Sequence, residues 1–208
     1  MYLKIIKPFF DIFISLILLV ALSPLLILIA LLLVFLQGGN PLFTQKRPGK
    51  NEKIFEIIKF RSMSNTLDAN GKLLPDDQRV TKIGQFIRKS SMDELPQLIN
   101  VLKGEMSFVG PRPLRVRYLP YYTSEEQVRH HVKPGITGLA QISGRNAIGW
   151  ENKFKNDIQY VKTVNLWVDL NIIIITLFKI FKSSDTEFTS TESDNFDEYR
   201  KSVMTSKA

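Results

Sequence analysis

Residues 12–36 read IFISLILLVALSPLLILIALLLVFL, and no charged residue occurs from Ile12 to Gln45. As a straight helix, the quoted segment would be about 37 Å long at 1.5 Å per residue, which is enough to cross a bilayer. It is too long for the apolar region of a secretory signal, and it lacks a small-residue cleavage site. The sequence therefore predicts a retained N-terminal membrane helix.

Ser23-Pro24 lies near the middle of this segment. Pro24 cannot donate a hydrogen bond to the Val20 carbonyl, so we expect a bend there, with the Ser23 hydroxyl satisfying part of the freed backbone. Basic residues flank the segment on both sides and give no positive-inside asymmetry: Lys4, Lys7, Lys46, Arg47, Lys50 and Lys53. These residues fit two topologies: a helix that enters, breaks at Ser23-Pro24 and returns, or an ordinary kinked spanning helix.

The composition of the chain limits the partners and the kinds of site that it can have. The chain has 208 residues and a formal net charge of +8, which suggests an anionic partner such as lipid, nucleic acid or a phosphorylated substrate. It contains no cysteine, so disulfides, thiolate metal sites and cysteine nucleophiles are excluded. The two histidines, His130 and His131, are neighbours in sequence, which makes a histidine zinc site improbable.

A β-hairpin is predicted after the apolar segment. Two runs, 41–47 and 53–61, flank the turn-forming cluster Pro48-Gly49-Lys50-Asn51. In the second run Lys59 and Arg61 share one strand face and could aim together at an anion. A solvated strand edge explains the same two residues equally well.

The stretch 90–113, SSMDELPQLINVLKGEMSFVGPRP, carries two adjacent carboxylates, Asp93 and Glu94, shortly after Arg88. Carboxylates beside fixed cations suit the handling of a metal-bound phosphate. A structural alternative is a capping box from Ser91 to Glu94 at the start of an apolar helix over 95–102. The two interpretations are compatible, because a helix N-terminus can also bind phosphate.

Arg112 lies between two prolines in Gly110-Pro111-Arg112-Pro113, where restricted φ angles favour bidentate phosphate recognition. The Gly-rich turns KPGITG (133–138) and Gly144-Arg145-Asn146 could bring backbone N–H groups and a further cation to the same ligand. Each of these turns is a weak signal taken alone.

The remaining segments complete the predicted organisation. Residues 79–88 predict a short helix broken near Gly84, and 166–182 predict a basic amphipathic helix at the membrane interface, with a buried core helix as the alternative. Residues 183–208 are polar and predict a mobile tail. The fold class is thus α+β and mostly helical, with a membrane segment over 1–40, a cytoplasmic catalytic domain over 41–182 and the tail.

Over residues 1–182 the chain resembles the small bacterial sugar transferases, which are monotopic polyprenyl-phosphate phosphoglycosyl transferases. The resemblance rests on the broken N-terminal helix and on motifs in the family order: FTQKRPG, KFRSM, MDELPQLINVLKGEMSFVGPRP, HVKPGITGLAQISGRN and Asp157. Within the family it is greatest to enzymes that start N-linked glycan assembly from UDP-N,N′-diacetylbacillosamine.

The resemblance implies transfer of a sugar 1-phosphate from a UDP-sugar to polyprenyl phosphate, with release of UMP. Asp93 would be the nucleophile that forms an aspartyl-phosphosugar, and Glu94 the residue associated with Mg²⁺. Family motif and charge indicate the substrate-binding residues: Lys59, Arg61, Arg88, Arg112, Arg145 and Asp157. The resemblance also favours the re-entrant helix broken at Ser23-Pro24.

The implied location is the cytoplasmic face of a bacterial inner membrane, where membrane lipid and downstream glycosyltransferases are the expected partners. Two other functions compete. A membrane-bound glycosyltransferase would release UDP, although its usual Asp-x-Asp signature is absent. A non-enzymatic basic adaptor would use the net charge of +8, but nothing resembles a nucleic-acid motif, so no nucleic acid is expected.

Overall fold

The computed structural model describes residues 1–144, 148–182 and 195–205. These residues are mostly helical and include a small antiparallel hairpin, which fits the α+β class. The helices are α1 (Lys7–Gln37), α2 (Asp76–Arg79), α3 (Lys82–Lys89), α4 (Gln97–Leu102), α5 (Ser124–Gln127), α6 (Leu139–Ile142), α7 (Trp150–Thr163), α8 (Leu166–Lys182) and α9 (Phe196–Thr205). The strands are β1 (Leu42–Pro48), β2 (Ile54–Phe60), β3 (Ser107–Val109) and β4 (Gly135–Thr137). The predicted fold class is confirmed.

The predicted hairpin is confirmed. Strands β1 and β2 pair antiparallel from Leu42 opposite Phe60 to Pro48 opposite Ile54. One face of β2 buries Phe55 and Ile57 in a core cluster with Val101 of α4 and Met106. Lys59 lies two residues further along this face, so burial of the face determines where its ammonium points.

Asn100 joins the hairpin to α4. Its side-chain oxygen accepts a hydrogen bond from the Ile58 N–H at 3.0 Å, and its nitrogen donates to the Glu56 carbonyl at 2.7 Å. Asn100 is fully buried, and leaving such an amide without partners would be costly. The side chain therefore fixes β2 against the helix that follows Asp93 and Glu94.

The apolar segment forms one helix, α1, with Pro24 inside it. The Ser23 hydroxyl donates to the Val20 carbonyl at 2.8 Å, which confirms the expected use of that freed acceptor. The helical stretch Tyr2–Gln37 is long and apolar enough to cross a membrane, and only 11% of its most apolar window is buried. These properties fit a membrane-associated protein.

Both ends of α1 contact the rest of the protein. Near its start, Lys7 Nζ lies 2.5 Å from a carboxylate oxygen of Asp169 in α8. Near its end, Leu33 packs in a buried cluster with Phe60 and Ile87, and Gln37 donates to the Thr81 hydroxyl at 2.9 Å. The two termini of the apolar helix are thus attached to the same body of protein.

Helix α8 is apolar on two sides. Ile172 is buried in a cluster with Val109 and Tyr160, whereas Trp167 and Phe178 are 78% and 72% exposed. The exposed side continues the expected pattern of an interfacial helix, and the buried side belongs to the core. Each of the two alternatives from the sequence, interfacial helix and core helix, thus describes a different face of α8.

Two sequence predictions are wrong in detail. Helix α3 begins after its cap, Thr81, and runs through Gly84 without a break. Glycine is needed at this position because a Cβ would lie 1.9 Å from the Ser62 carbonyl oxygen. Of the predicted mobile tail, residues 196–205 form α9, and Phe196 is fully buried. The cause is an aromatic cluster that gives Phe196 a place to pack.

Candidate active site

Asp93 and Glu94 lie on a single 3₁₀ turn, Met92–Glu94, between α3 and α4. Ser91 precedes the turn in a left-handed conformation with φ of 56°, and its side chain makes no capping hydrogen bond. Helix α4 begins at Gln97 after Pro96, whose missing N–H costs nothing at a helix start. The capping-box interpretation is therefore wrong, and both carboxylates are available for other contacts.

Glu94 binds two cations. Its Oε1 accepts from Lys59 Nζ at 2.7 Å and from Arg112 Nη2 at 2.7 Å, and its Oε2 lies 3.4 Å from Arg112 Nη1. Burial alone would raise the pKa of Glu94, but the charges of Arg112 and Lys59 overcome it and hold the pKa well below its usual range. Glu94 is therefore ionised and fixed in place.

Asp93 occupies a different environment. Burial and the neighbouring negative charge of Glu94 raise its pKa, while Lys59, Arg112 and Arg88 oppose that rise. Within the part of the chain that the structure describes, no cation lies within ion-pair distance of its carboxylate. Asp93 is thus a half-buried carboxylate whose lone pairs are not taken up by an ion pair.

Lys59 extends from the buried face of β2 to Glu94, as its position on the strand requires. Burial is the main cause that lowers its pKa; Arg112 adds to the effect and Glu94 opposes it. The interpretation of Lys59 as a solvated edge residue is therefore wrong. In this structure its direct partner is the Glu94 carboxylate.

The loop that carries Arg112 is held by two short parallel strands. Gly110 donates to the Thr137 carbonyl at 2.9 Å, and Gly135 donates to the Pro111 carbonyl at 3.0 Å. A Cβ at Gly135 would lie 2.1 Å from the Gly110 nitrogen, so only glycine permits this approach. The KPGITG segment thus supports the Arg112 loop from behind.

Arg129 holds the same loop from the other side. Its Nη2 donates to the Arg112 carbonyl at 2.7 Å, and its Nε and Nη2 donate to Asp157 Oδ2 at 3.0 and 2.9 Å. The side chains of Arg129 and Asp157 are 2% and 4% exposed. The predicted contact of Asp157 with substrate is therefore corrected: Asp157 is buried in an ion pair and acts on Arg112 through Arg129.

Two arginines that were not among the predicted site residues, Arg47 and Arg115, belong to the same electrostatic group as Arg112. Burial, followed by repulsion from Arg112 and Arg115, lowers the pKa of Arg47 to about 10. Three neighbouring guanidinium groups repel one another, and a bound anion would relieve that repulsion. Arg47 and Arg115 were missed because they come from strand β1 and from a loop, far apart in sequence.

The other predicted cations have different positions. Arg88 ends α3 and donates from Nε to the Ser62 hydroxyl at 2.7 Å, and its charge opposes the raised pKa of Asp93. Arg61 follows β2, and its backbone N–H donates to the Pro41 carbonyl at 2.8 Å. Arg145 lies outside the described residues. The structure thus brings Lys59, Arg88 and Arg112 to the carboxylate pair.

The two carboxylates suit magnesium better than a metal that needs a larger protein ligand set. Among the described residues, no group of three or more His, Asp or Glu side chains could hold a metal ion. Mg²⁺ in phosphate-handling sites often takes only one or two carboxylates and completes its shell with phosphate oxygens and water. Asp93 and Glu94 fit that pattern, since the contact of Glu94 Oε2 with Arg112 is long, at 3.4 Å.

Comparison with known proteins defines the class. The chain belongs to the bacterial sugar transferase family, which it matches over residues 2–183. It is therefore a transferase.

Three relatives illustrate the similarity. The uncharacterized sugar transferase EpsL of Bacillus subtilis (strain 168) is 49% identical over 89% of this chain and 92% of its own length. The undecaprenyl-phosphate glucose phosphotransferase of Komagataeibacter xylinus is 43% identical over 82% of this chain and 35% of its own length. The UDP-glucose:undecaprenyl-phosphate glucose-1-phosphate transferase of Klebsiella pneumoniae is 42% identical over 82% of this chain and 39% of its own length. The chain thus spans nearly all of EpsL but well under half of the other two.

Proposed function

We propose that this protein transfers a sugar 1-phosphate from a UDP-sugar to polyprenyl phosphate and releases UMP. The observation that carries the proposal is Asp93, a carboxylate with no ion pair to any residue that the structure describes, held beside the Glu94–Lys59–Arg112 ion cluster. Similarity to enzymes named for glucose-1-phosphate transfer to undecaprenyl phosphate supports the same reaction.

Asp93 is proposed as the nucleophile. A carboxylate oxygen would attack the sugar-side phosphorus, the bond from that phosphorus to the UMP oxygen would break, and UMP would leave. An oxygen of the lipid phosphate would then attack the same phosphorus and displace Asp93. A general base is unnecessary, because a phosphate monoester with a second pKa near 6 is already largely ionised at neutral pH.

Attack of a carboxylate on an anionic diphosphate requires strong charge neutralisation. Arg112 and Lys59 bind Glu94 directly, the charge of Arg88 acts on Asp93, and Arg47 and Arg115 interact electrostatically with Arg112 or with each other. We propose that Glu94, with Asp93 beside it, would hold Mg²⁺, which when bound supplies positive charge to the diphosphate oxygens. Lys59 keeps the Glu94 carboxylate oriented toward that position.

We propose that α1 is re-entrant and that the protein is monotopic on the cytoplasmic face. Two observations support this: contacts to one body of protein from both Lys7 and Gln37, and the presence of Pro24 inside the helix. A straight helix of 31 residues would be about 46 Å long. If it spanned the bilayer, Lys7 and Gln37 would lie on opposite sides, and the polar protein that contacts both would have to pass through the lipid. The shallow arrangement leaves the apolar sides of α1 and α8 for lipid.

The donor is proposed at the level of a UDP-sugar. UDP-N,N′-diacetylbacillosamine is favoured by the motif resemblance, whereas relatives with a named donor are named for UDP-glucose or UDP-galactose. The first would make the chain a starter of protein glycosylation, and the second a starter of polysaccharide assembly. Downstream glycosyltransferases would extend either lipid product.

The test incubates purified protein with Mg²⁺, undecaprenyl phosphate and a panel of UDP-sugars, and measures UMP and UDP separately. We expect UMP from one donor and none from Asp93→Asn, with membrane association of the variant unchanged. UDP as product would instead establish glycosyl transfer. Near-normal turnover by Asp93→Asn would refute the nucleophile assignment, and membrane binding without turnover of any donor would favour an adaptor.

A further inference from the structure

Helix α9 lies beyond residues 2–183, the part of the chain that matches the family. Its first residue, Phe196, is fully buried. The ring stacks on Tyr122 at a centroid distance of 5.3 Å and meets Phe154 edge-on at 4.9 Å. A buried phenylalanine with two aromatic neighbours is a strong packing anchor, so α9 is docked on the catalytic body rather than merely adjacent to it.

Two ion pairs fix the orientation of the docked helix. Arg200 binds the Glu126 carboxylate, and both side chains are nearly buried. Glu126 also completes the capping box of α5 with Thr123. In the first turn of α9, Asp197 lies 3.5 Å from Arg117. The helix therefore has a defined rotation, and its first turn faces the aromatic cluster.

One chain of contacts leads from Phe196 to the active site. Phe196 stacks on Tyr122, whose hydroxyl accepts from Arg129 Nη1 at 3.2 Å. Arg129 in turn donates to the carbonyl of Arg112. Loss of the Phe196 ring would remove the ring stacked on Tyr122, and the backbone support of Arg112 depends on Arg129, which Tyr122 helps to hold.

A second chain of contacts reaches an active-site arginine without passing through Tyr122 and Arg129. The Asn195 side-chain oxygen accepts from Arg115 Nη1 at 3.2 Å and lies 3.3 Å from the Tyr118 hydroxyl. Arg115 is close enough to Arg47 to lower its pKa. Asn195 thus orients one arginine of the three-guanidinium cluster, while Phe196 supports the loop of another.

We propose that α9 is a positioning element for the arginine cluster that binds the diphosphate of the donor. Asn195 and Phe196 are its positioning residues; neither touches the reacting atoms. The inference rests on the proposed function, because the ligand it assigns to Arg112 and Arg115 is a nucleoside-diphosphate sugar. It adds a segment outside the family match to the determinants of donor binding.

The test compares four full-length variants by steady-state kinetics with donor and acceptor varied separately. Asn195→Ala removes the contacts with Arg115 and with the Tyr118 hydroxyl but retains every ring of the aromatic cluster. Phe196→Ala removes the anchor, and Phe196→Leu retains most of its apolar volume. Met204→Ala, at a 59% exposed position on the same helix, is the matched control. Thermal unfolding in detergent reports the fold of each variant.

We expect Asn195→Ala and Phe196→Ala to raise the KM for the UDP-sugar about tenfold, because small displacements of positioning groups are costly in oriented sites. The KM for polyprenyl phosphate should change little, Phe196→Leu should recover most of the loss, and Met204→Ala should match the unaltered protein. An unchanged donor KM in Asn195→Ala, with an equal loss of all parameters in Phe196→Ala, would overturn the inference and make α9 a stabilising element only. Absence of UMP from the unaltered protein would instead refute the proposed function.

Discussion

Asp93 and Glu94 are adjacent in sequence, yet their pKa values shift in opposite directions. Glu94 is stabilised as an anion by Lys59 and Arg112, whereas Asp93 is disfavoured as an anion by burial and by Glu94 itself. One carboxylate is thus paired and fixed, and the other is destabilised in its charged form. That division suits one orienting residue and one nucleophile.

Individual residues were predicted unevenly. Asp93, Glu94 and Arg112 could be found from the sequence because their motifs are compact and lie close together. Asp157 could be located but its role could not be predicted, since its partner Arg129 is 28 residues away. No local signal distinguishes a buried arginine in the run SEEQVRHH from an exposed one.

His130 provides a pH prediction. Burial, followed by the charges of Arg129 and His131, lowers its pKa from 6.5 to about 3, although Nδ1 lies 3.2 Å from Glu52 Oε1. The unfolded chain therefore binds a proton that the folded protein does not. The free energy of unfolding should be highest above pH 6.5, the pKa of His130 in the unfolded chain. It should decrease as the pH falls from 6.5 to 3, by at most about 1.4 kcal/mol per pH unit.

Chemical unfolding in detergent across pH 4–7 measures this slope, with His130→Gln as the control that cannot titrate. The variant should lose less stability than the unaltered protein as the pH falls. Identical slopes would show that His130 is not held neutral by its surroundings.

Among the elements, the hairpin and the hydrogen bond of Ser23 beside Pro24 were predictable because each depends on local chemistry. Turn residues set the hairpin, and the missing N–H of Pro24 determines which carbonyl Ser23 satisfies. The β3–β4 pairing was not predictable, because three-residue strands 28 residues apart leave no periodic pattern. It was nevertheless this pairing that placed the Arg112 loop.

The buried Arg129–Asp157 pair links α7 to the active-site loop and gives a stability prediction. Breaking it with Arg129→Met leaves Asp157 without its partner and should lower the free energy of unfolding by about 3–5 kcal/mol. The double variant Arg129→Met/Asp157→Leu should recover part of that loss. Denaturant unfolding of both variants measures the difference. A double variant that is less stable than Arg129→Met would contradict the explanation by an uncompensated buried charge.

At the scale of the whole molecule, α1 connects its two ends to one catalytic body. The sequence left the topology open, since flanking lysines on both sides fit more than one arrangement. Contacts of Lys7 with Asp169 and of Gln37 with Thr81 favour the re-entrant one. Such contacts between distant segments depend on tertiary packing, which no single motif encodes.

The absence of cysteine from the chain permits a direct test of this topology. Single cysteines at Lys4 and Asn40 should both react with a membrane-impermeant thiol reagent in inverted inner-membrane vesicles, where the cytoplasmic face is outside. Both should stay protected in right-side-out vesicles. Labelling of the two positions from opposite sides would establish a spanning helix and refute the re-entrant proposal.

The position of α9 was the largest departure from expectation at this scale. Its polar composition predicted a mobile tail, and only the aromatic cluster around Tyr122 explains why Phe196 is buried. A single phenylalanine in a polar segment gives no periodicity, so the docking could not be seen in the sequence.

The most direct test of the central claim follows the phosphorus atom. A UDP-sugar labelled with ³²P in its sugar-side phosphate and with ³H in its sugar is incubated with undecaprenyl phosphate, and both labels are counted in the extracted lipid. Sugar-1-phosphate transfer predicts that the two labels enter the lipid in equal molar amounts. Lipid that contains the sugar label without the phosphorus label would contradict the account and establish glycosyl transfer.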